Sequence, residues 1–436
     1  MKGDFSRITF DPRKHYSRVL MQQGRVQIDA DWNEQVAIIL HRLETMAKDL
    51  IGPLGGGPRD NCGFVIERIE GEGNDFKISQ GRYYVEGLLC ENDHNNLTFH
   101  KQLRGEDDVK FEIGKDYLVY LDAWEQYVNV IEDPNIREKA LGGPDSAGRS
   151  RIVWSVRAMD LAQIPGFVMA PQPCIGIKDE NMWKKIFPVI QPPNRGMLAV
   201  MTEQPSHDSD SPCIVSPASR YRGMENQLYR VEIHSGGNAP LSGEKSNRND
   251  ATFKWSRENG SVIFPVAAVR DQQILLDPLS LHSTIKLKAK DWVELIDDDQ
   301  IALAQPGELL QIMSLGQTEL ELNVNGVIKP VESKKHPYLR RWEGSTKIVE
   351  GRLLTLEDGI QIRFEPCEPK NQYRPGDFWY IPARTADNGI ILWPKPVPPD
   401  GITHRYAPLG TVKKEVGEKL TVTQCAMKFD PVVGTP

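Results

Sequence analysis

From residue 62 onward the apolar side chains recur at every second position, and that period constrains the fold more than any other feature of the chain. The runs FVIERIEG, DFKISQGRYYVEGLLCEN and KDYLVYLDAWEQYVNV are short and are broken by Gly, Asn and Asp. Successive side chains of a strand point to opposite faces, so such runs read as strands with one buried face. Tyr117, Val119 and Leu121 alternate in this way, and Gly81 and Gly87 bracket a strand core at Tyr83–Glu86, as in a compact meander. Further on, Tyr229, Val231 and Ile233 form one face of a strand, expected to be the buried one, with Leu228, Arg230, Glu232 and His234 on the other. Asn259-Gly260, between FKWS and SVIFPV, is the strongest hairpin signal in the chain; both residues are expected at positive φ.

One segment departs from this period. Val36, Ile39, Leu40, Leu43, Met46, Ala47, Leu50 and Ile51 fall three and four residues apart, the spacing of one face of an amphipathic helix. The helix is expected over 31–51, a rod of roughly 30 Å, with Val36, Leu40, Leu43 and Leu50 as its core face. Asp31 is a suitable N-cap, Glu34 completes a capping box, and Gly52-Pro53 ends the segment. The acids of DADWNE are therefore read as structural, not catalytic. The expected fold is mainly β, several short-stranded β modules with one long N-terminal amphipathic helix. Its organisation reads as an arm and helix (1–60), a β-rich domain (61–165), a proline-rich irregular linker (166–215), a second β-rich domain (216–345) and a C-terminal β-rich region (346–436).

The arm before the helix has no period that could bury its apolar residues Phe5, Ile8 and Phe10, and it carries Arg13, Lys14 and Arg18. The whole chain has a net charge of −7. A basic, sparsely apolar arm on an acidic body suits an acidic groove, on a neighbouring subunit or on the body itself. These six residues are the candidate docking residues.

The same net charge argues against general nucleic-acid binding, which calls for a basic domain. The six cysteines are scattered without a CxxC pair, so a zinc ribbon is unsupported and mostly reduced thiols are expected. The N-terminus lacks an apolar signal region, and no run of 18 apolar residues occurs, which points to a cytoplasmic, non-spanning chain. Gly142-Gly143-Pro144 lacks the Gly-Lys-Ser/Thr ending of a phosphate loop and reads as a turn. Asp297–Asp299 lacks further ligands at loop spacing and reads as a solvated turn. His15 and His404 have no catalytic partner in sequence. No nucleophile elbow, HExxH or dinucleotide fingerprint is present. No catalytic residue, cofactor or metal ligand is assigned, and a non-enzymatic role is expected.

Several blocks, taken together, point further. MKGDFSRITFDPRKHYSRVLMQQGRVQIDADWNEQ resembles the N-terminal signature of an uncharacterised bacterial family encoded with phage-tail-like contractile injection systems. ISQGRYYVEG, IREKALGGPDSAGRSRIVW, YRGMENQLYRVEIHSGG with ATFKWSRENGSVIFPV, and YRPGDFWYIPAR with HRYAPLG are similar to the same family. Some members continue into a parallel β-helix like that of tailspikes; this sequence stops at 436, so no spike-like activity is expected. The resemblance implies a structural or accessory component of a contractile particle: a baseplate-peripheral adaptor, a fibre-like part or an anchor. The partners it implies are other subunits of the particle or further copies of this chain. A membrane would be met at its cytoplasmic face, through a partner or as an anchoring site. The alternatives are a carbohydrate-binding or carbohydrate-cleaving β module, with Trp379 and Asp377 lining a groove beside carboxylates about 5–10 Å apart, and a free-standing enzyme.

Overall fold

The computed structural model describes residues 1–102, 109–138, 140, 146–166, 174, 179–202, 221–278, 280, 285–318, 320–326, 328, 331–385, 393, 395–417 and 419–430. The segment with helical spacing forms one helix, α1 (Asp29–Ile51), and nearly all else that is regular is strand. The chain is mainly β.

The capping box expected at Asp31 is not formed. Helix α1 begins two residues earlier, with Ile28 at the cap position and no side-chain cap bond. Asp29 and Glu34 serve the arm instead: Asp29 Oδ2 accepts from the Ser6 amide (2.9 Å) and Glu34 Oε2 accepts from the Thr9 hydroxyl (2.5 Å). The capping-box pattern is realised elsewhere. Asp297 accepts from the amides of Asp299 and Gln300, and the Gln300 side chain accepts from the Asp297 amide, at the start of a short helix (Asp298–Ala302). The triple acid is thus a helix start, whose Asp298 and Asp299 pair with His336 and Lys335.

The run around Tyr117 is the longest strand, Asp116–Val128. It pairs antiparallel with Arg149–Asp160, from Tyr117↔Asp160 to Val128↔Arg149. Its residues Tyr117–Trp124 are buried in unbroken succession because both faces are covered. Tyr117, Val119, Leu121 and Ala123 pack on Phe76, Phe99 and Phe111, while Leu118 and Tyr120 meet Ile186 of helix α2 (Glu180–Ile190). The other edge takes His404–Lys414 and then Leu420–Gln424, so the C-terminal strands complete a sheet begun near residue 116.

A second sheet is centred on Gln227–Ser235, flanked by Thr252–Ser256 and Phe378–Ala383, with Gly344–Lys347 outermost. As expected, Tyr229, Val231 and Ile233 are buried. They share a core with Leu198, Val200, Ile362 and Phe364 of the sheet formed by Met197–Thr202, Ile360–Glu365 and Leu353–Thr355. The result is a sandwich with inner faces of interdigitated apolar side chains. Between 263 and 342 six strands close into a barrel, filled by Phe264, Ile274, Val293, Ile312, Leu322 and Leu339.

Two expected boundaries therefore change. Residues 346–436 form no body of their own, because their strands complete the sandwich and the first sheet. The expected linker 166–215 contains α2 and the strand Met197–Thr202, while its residues 203–215 and the turn at Gly142–Pro144 lie outside the described residues. Cys174 is bonded to Cys425 across 251 residues of sequence, whereas Cys62, Cys90 and Cys367 are free thiols, so the expectation of reduced cysteines fails for that one pair.

Asn259 (φ 52) and Gly260 (φ 63) form the expected positive-φ turn. They close no hairpin, however. Thr252–Ser256 pairs within the sandwich and Ile263–Arg270 within the barrel, so the turn hands the chain from one body to the other. Two-residue hairpin turns lie instead at Glu86 (φ 48) and Gly87 (φ 86), between Gly81–Val85 and Leu88–Asn92, and at Asp271 (φ 50) and Gln272, between Ile263–Arg270 and Gln273–Leu276. Gly260→Val is expected to cost about 1–3 kcal/mol, as a β-branched residue is strained in this region, and Gly260→Asn much less. Denaturant midpoints of the two variants measure the difference.

Candidate interaction surface

The arm is rooted in charges that alternation placed on the outer face of the sandwich. With Tyr229, Val231 and Ile233 turned into the core, Arg230 and Glu232 must point the other way, and both are nonetheless buried (2% exposed each). Glu232 stands opposite Lys254 on the neighbouring strand. In the barrel wall, Val293, Leu295 and Leu339 face inward, which turns Glu294 and its cross-strand neighbour Arg340 towards the sandwich. The two walls meet through the fully buried Lys254. Its Nζ lies 2.5 Å from Glu294 Oε1 and 3.3 Å from Glu232 Oε1, over the Trp342 ring at 4.5 Å.

Lys2 enters this site from the arm, with Nζ 2.8 Å from Glu232 Oε1. Asn259 Nδ2 donates to the Met1 and Gly3 carbonyls at 3.1 and 2.9 Å, and Arg230 donates to the Met1 carbonyl at 3.2 Å. Burial alone would push the Glu294 carboxyl up, but Lys254 and Lys2 bring it down to about 2. Burial opposes ionisation of Glu232 too, yet Lys2, Arg230 and Lys254 hold it well below the usual carboxylate range. Burial lowers Lys2 to about 8 against the pull of Glu232. A buried carboxylate on the chain's own body, Glu232, thus takes Lys2 as a partner beside Arg230 and Lys254.

The six candidate docking residues divide. Phe5 packs edge-on against Tyr127 (5.9 Å) and Phe10 against His41 of α1 (5.6 Å), so both are held by the chain itself. Ile8, Arg13, Lys14 and Arg18 are exposed, Arg13 being paired with Asp11 inside the arm. His15 caps the short turn Pro12–Lys14 in a left-handed conformation. From residue 20 to 29 every side chain is exposed, Leu20, Met21 and Val26 among them. The Val19 amide, bonded to Gln35 Oε1 at 2.8 Å, keeps this stretch beside the helix.

The core face assigned to α1 is the main correction. Val36 (39%), Leu40 (44%), Leu43 (50%) and Leu50 (67%) are exposed, and so are Trp32, Ile39 and Met46. The helix sits on the body by its opposite side, where Ala30 and Ile38 are buried, Glu44 pairs with Arg405, and Lys48 pairs with Glu86 at 3.1 Å. The helix backbone passes so close to Gly87 that a Cβ there would strike the Glu44 carbonyl. The body offers charged partners and a bare glycine at this place, so the polar side of the helix docks and the apolar stripe is left outside.

The family of unknown function DUF6519 matches residues 1–169 and 193–434. The chain belongs to that family. No curated protein and no solved structure matches it. The arm, α1 and the charged site beneath them all lie within the matched residues, so they are parts of the DUF6519 unit itself.

Other polar residues of this DUF6519 member are accounted for by packing. His404 Nδ1 lies 2.6 Å from Asp122 Oδ1, whose other oxygen accepts from Arg157 Nε at 2.9 Å, and the ring is sandwiched near Trp124 and Tyr406. Burial lowers its pKa against the pull of Asp122, which suits a neutral ring joining two strands. Trp379 (0% exposed) and Asp377 (1%), paired with Arg195, are interior and line no groove. Among the described residues no group of three or more His, Cys, Asp or Glu could hold a metal, and no helix is long and apolar enough to cross a membrane. Sequence reading missed Lys2, Arg230, Glu232, Lys254, Glu294 and Arg340 as a unit. The only available signal was a charged residue on each outer face of strands whose inner faces are fully apolar.

Glu294→Gln leaves Lys254 short of one counter-ion in the interior and is expected to cost about 3–5 kcal/mol at pH 7. A carboxyl held below its unfolded value stabilises above the ordinary carboxylate range and loses that contribution as pH falls towards about 2. The stability gap between wild type and variant should therefore close between roughly pH 4.5 and 2, as read from denaturant melts across that window.

Proposed function

We propose that this protein is a structural, non-enzymatic subunit of a phage-tail-like contractile injection system, a baseplate-peripheral adaptor, fibre-like part or anchor. The observation that carries this reading is α1. A monomer working alone gains nothing from a helix whose apolar stripe faces water, whereas a subunit of an assembly needs such a surface. The exposed stretch 16–28 beside it has the same character: little self-contact, several apolar side chains and basic flanks. The resemblance of the arm-and-helix block and of four further regions to proteins encoded with contractile particles supplies the kind of assembly. In this role the protein is particle-associated in the cytoplasm, and a membrane is met at its cytoplasmic face through the particle.

The test is gradient purification of contractile particles from the cell that encodes the chain. Immunoblotting should find the protein in the particle fraction, and averaged images of particles lacking the gene should lose density at the baseplate periphery. A chain absent from the particle fraction, with particles unchanged by its deletion, refutes the proposal.

A further inference from the structure

The stripe on α1 is specific enough to name its occupant. Trp32, Val36, Ile39, Leu43, Met46 and Leu50 follow one another at spacings of four, three, four, three and four, the seam of a two-helix coiled coil, not the broader face of a helix on a sheet. The spacing is symmetric about residue 41. Reversing the helix places Trp32 on Leu50, Val36 on Met46 and Ile39 on Leu43, and brings Leu40, one residue from the axis, within about 3 Å along the helix of its own copy.

Charge has the same symmetry. Between Asp11 and Asp29 the arm carries Arg13, Lys14, Arg18 and Arg25 and no acid, whereas α1 holds five acids against Arg42 and Lys48. A basic strip beside an acidic one is self-complementary under a two-fold axis, as an isologous interface requires. An acidic helix on an acidic protein is poorly suited to an anionic lipid surface, which selects Lys- and Arg-rich polar faces. Area agrees as well. The exposed apolar residues of α1 and of 16–28 each leave roughly half of a large side chain's ~150–250 Å² bare. Together they offer on the order of 1,000 Å², against about 800 Å² per partner in a standard interface.

We propose that the occupant is a second copy of this chain: α1 pairs antiparallel with α1 of the partner across a two-fold axis near residue 41. The arm, which runs beside the N-terminal half of its own helix, then lies towards Asp49 near the far end of the other. The inference goes beyond the particle reading and stands without it, since purified chain tests it in the absence of any particle.

Sedimentation velocity of the full chain at about 10 μM should give twice the protomer mass of 49.2 kDa. Leu43→Glu should give one protomer mass with far-UV circular dichroism unchanged, since Leu43 is half exposed, and its melting temperature should lose any dependence on protein concentration that the wild type shows. Mild oxidation should cross-link Leu40→Cys to itself. Trp32→Cys should cross-link to Leu50→Cys in a mixture, and Trp32→Cys alone should not, against the background of the native thiols. A monomer at every concentration, or a dimer that persists in Leu43→Glu and fails to cross-link through residue 40, overturns the proposal. Self-cross-linking of Trp32→Cys overturns the antiparallel pairing. Flotation of a monomeric chain with phosphatidylcholine–phosphatidylglycerol vesicles assigns the stripe to lipid instead.

Discussion

A single buried ammonium, that of Lys254, holds the architecture around the arm together. It bridges Glu232 on the sandwich and Glu294 on the barrel, two walls whose other faces are committed to separate apolar cores. Removing charges from water is costly, and a buried pair adds little net stability over apolar side chains of the same volume. One unpaired partner, however, is strongly unfavourable. The network therefore acts mainly on geometry: this docking of barrel on sandwich sets Lys254 between Glu232 and Glu294. In that docking Glu232 retains room for a further cation, which Lys2 supplies, and Asn259 at the crossover turn is placed to hold the arm's backbone. The N-terminal arm is thereby fixed by the junction between two bodies that come much later in the chain.

The root of the arm and its outer part consequently differ in kind. Residues 1–10 are tied down by ion pairs, carbonyl contacts and the ring contacts of Phe5 and Phe10, whereas 12–28 runs over the surface with one bond from Val19 to the helix. Helix α1 repeats this division across its own axis. Polar anchors such as Lys48–Glu86 orient the inner side, and the outer side keeps the apolar surface that a helix ordinarily spends on its core. A charged mooring is compatible with that inversion because ion pairs and close backbone approach at Gly87 can position a helix without consuming its apolar stripe.

Short-range signals in the sequence were correct about conformation more often than about connection. Asn259-Gly260 has the dihedral angles its residue types favour, yet joins two bodies, because turn chemistry depends on two residues while hairpin pairing depends on where both neighbouring strands find partners. The acid-rich start of α1 has capping composition, yet the arm competes for Asp29 and Glu34 through Ser6 and Thr9. At Asp297 nothing competes, and the same pattern closes its box. His404 and Asp122 are 282 residues apart and meet only because His404–Lys414 pairs with Asp116–Val128. No local pattern encodes that pairing.

Local alternation by itself determined that this chain is mainly β, that Tyr229, Val231 and Ile233 face a core, and that residues near 31–51 form a helix with one apolar stripe. Each follows from a period of two or 3.6 acting over a few neighbours. Tertiary structure alone decided that the C-terminal strands complete earlier sheets, that Arg230, Glu232, Lys254 and Glu294 form one buried network, and that the stripe of α1 faces outward. Periodicity states which side chains share a face but not what lies opposite, and the side of α1 that meets the body was set by Arg405, Glu86 and Gly87, residues far along the chain.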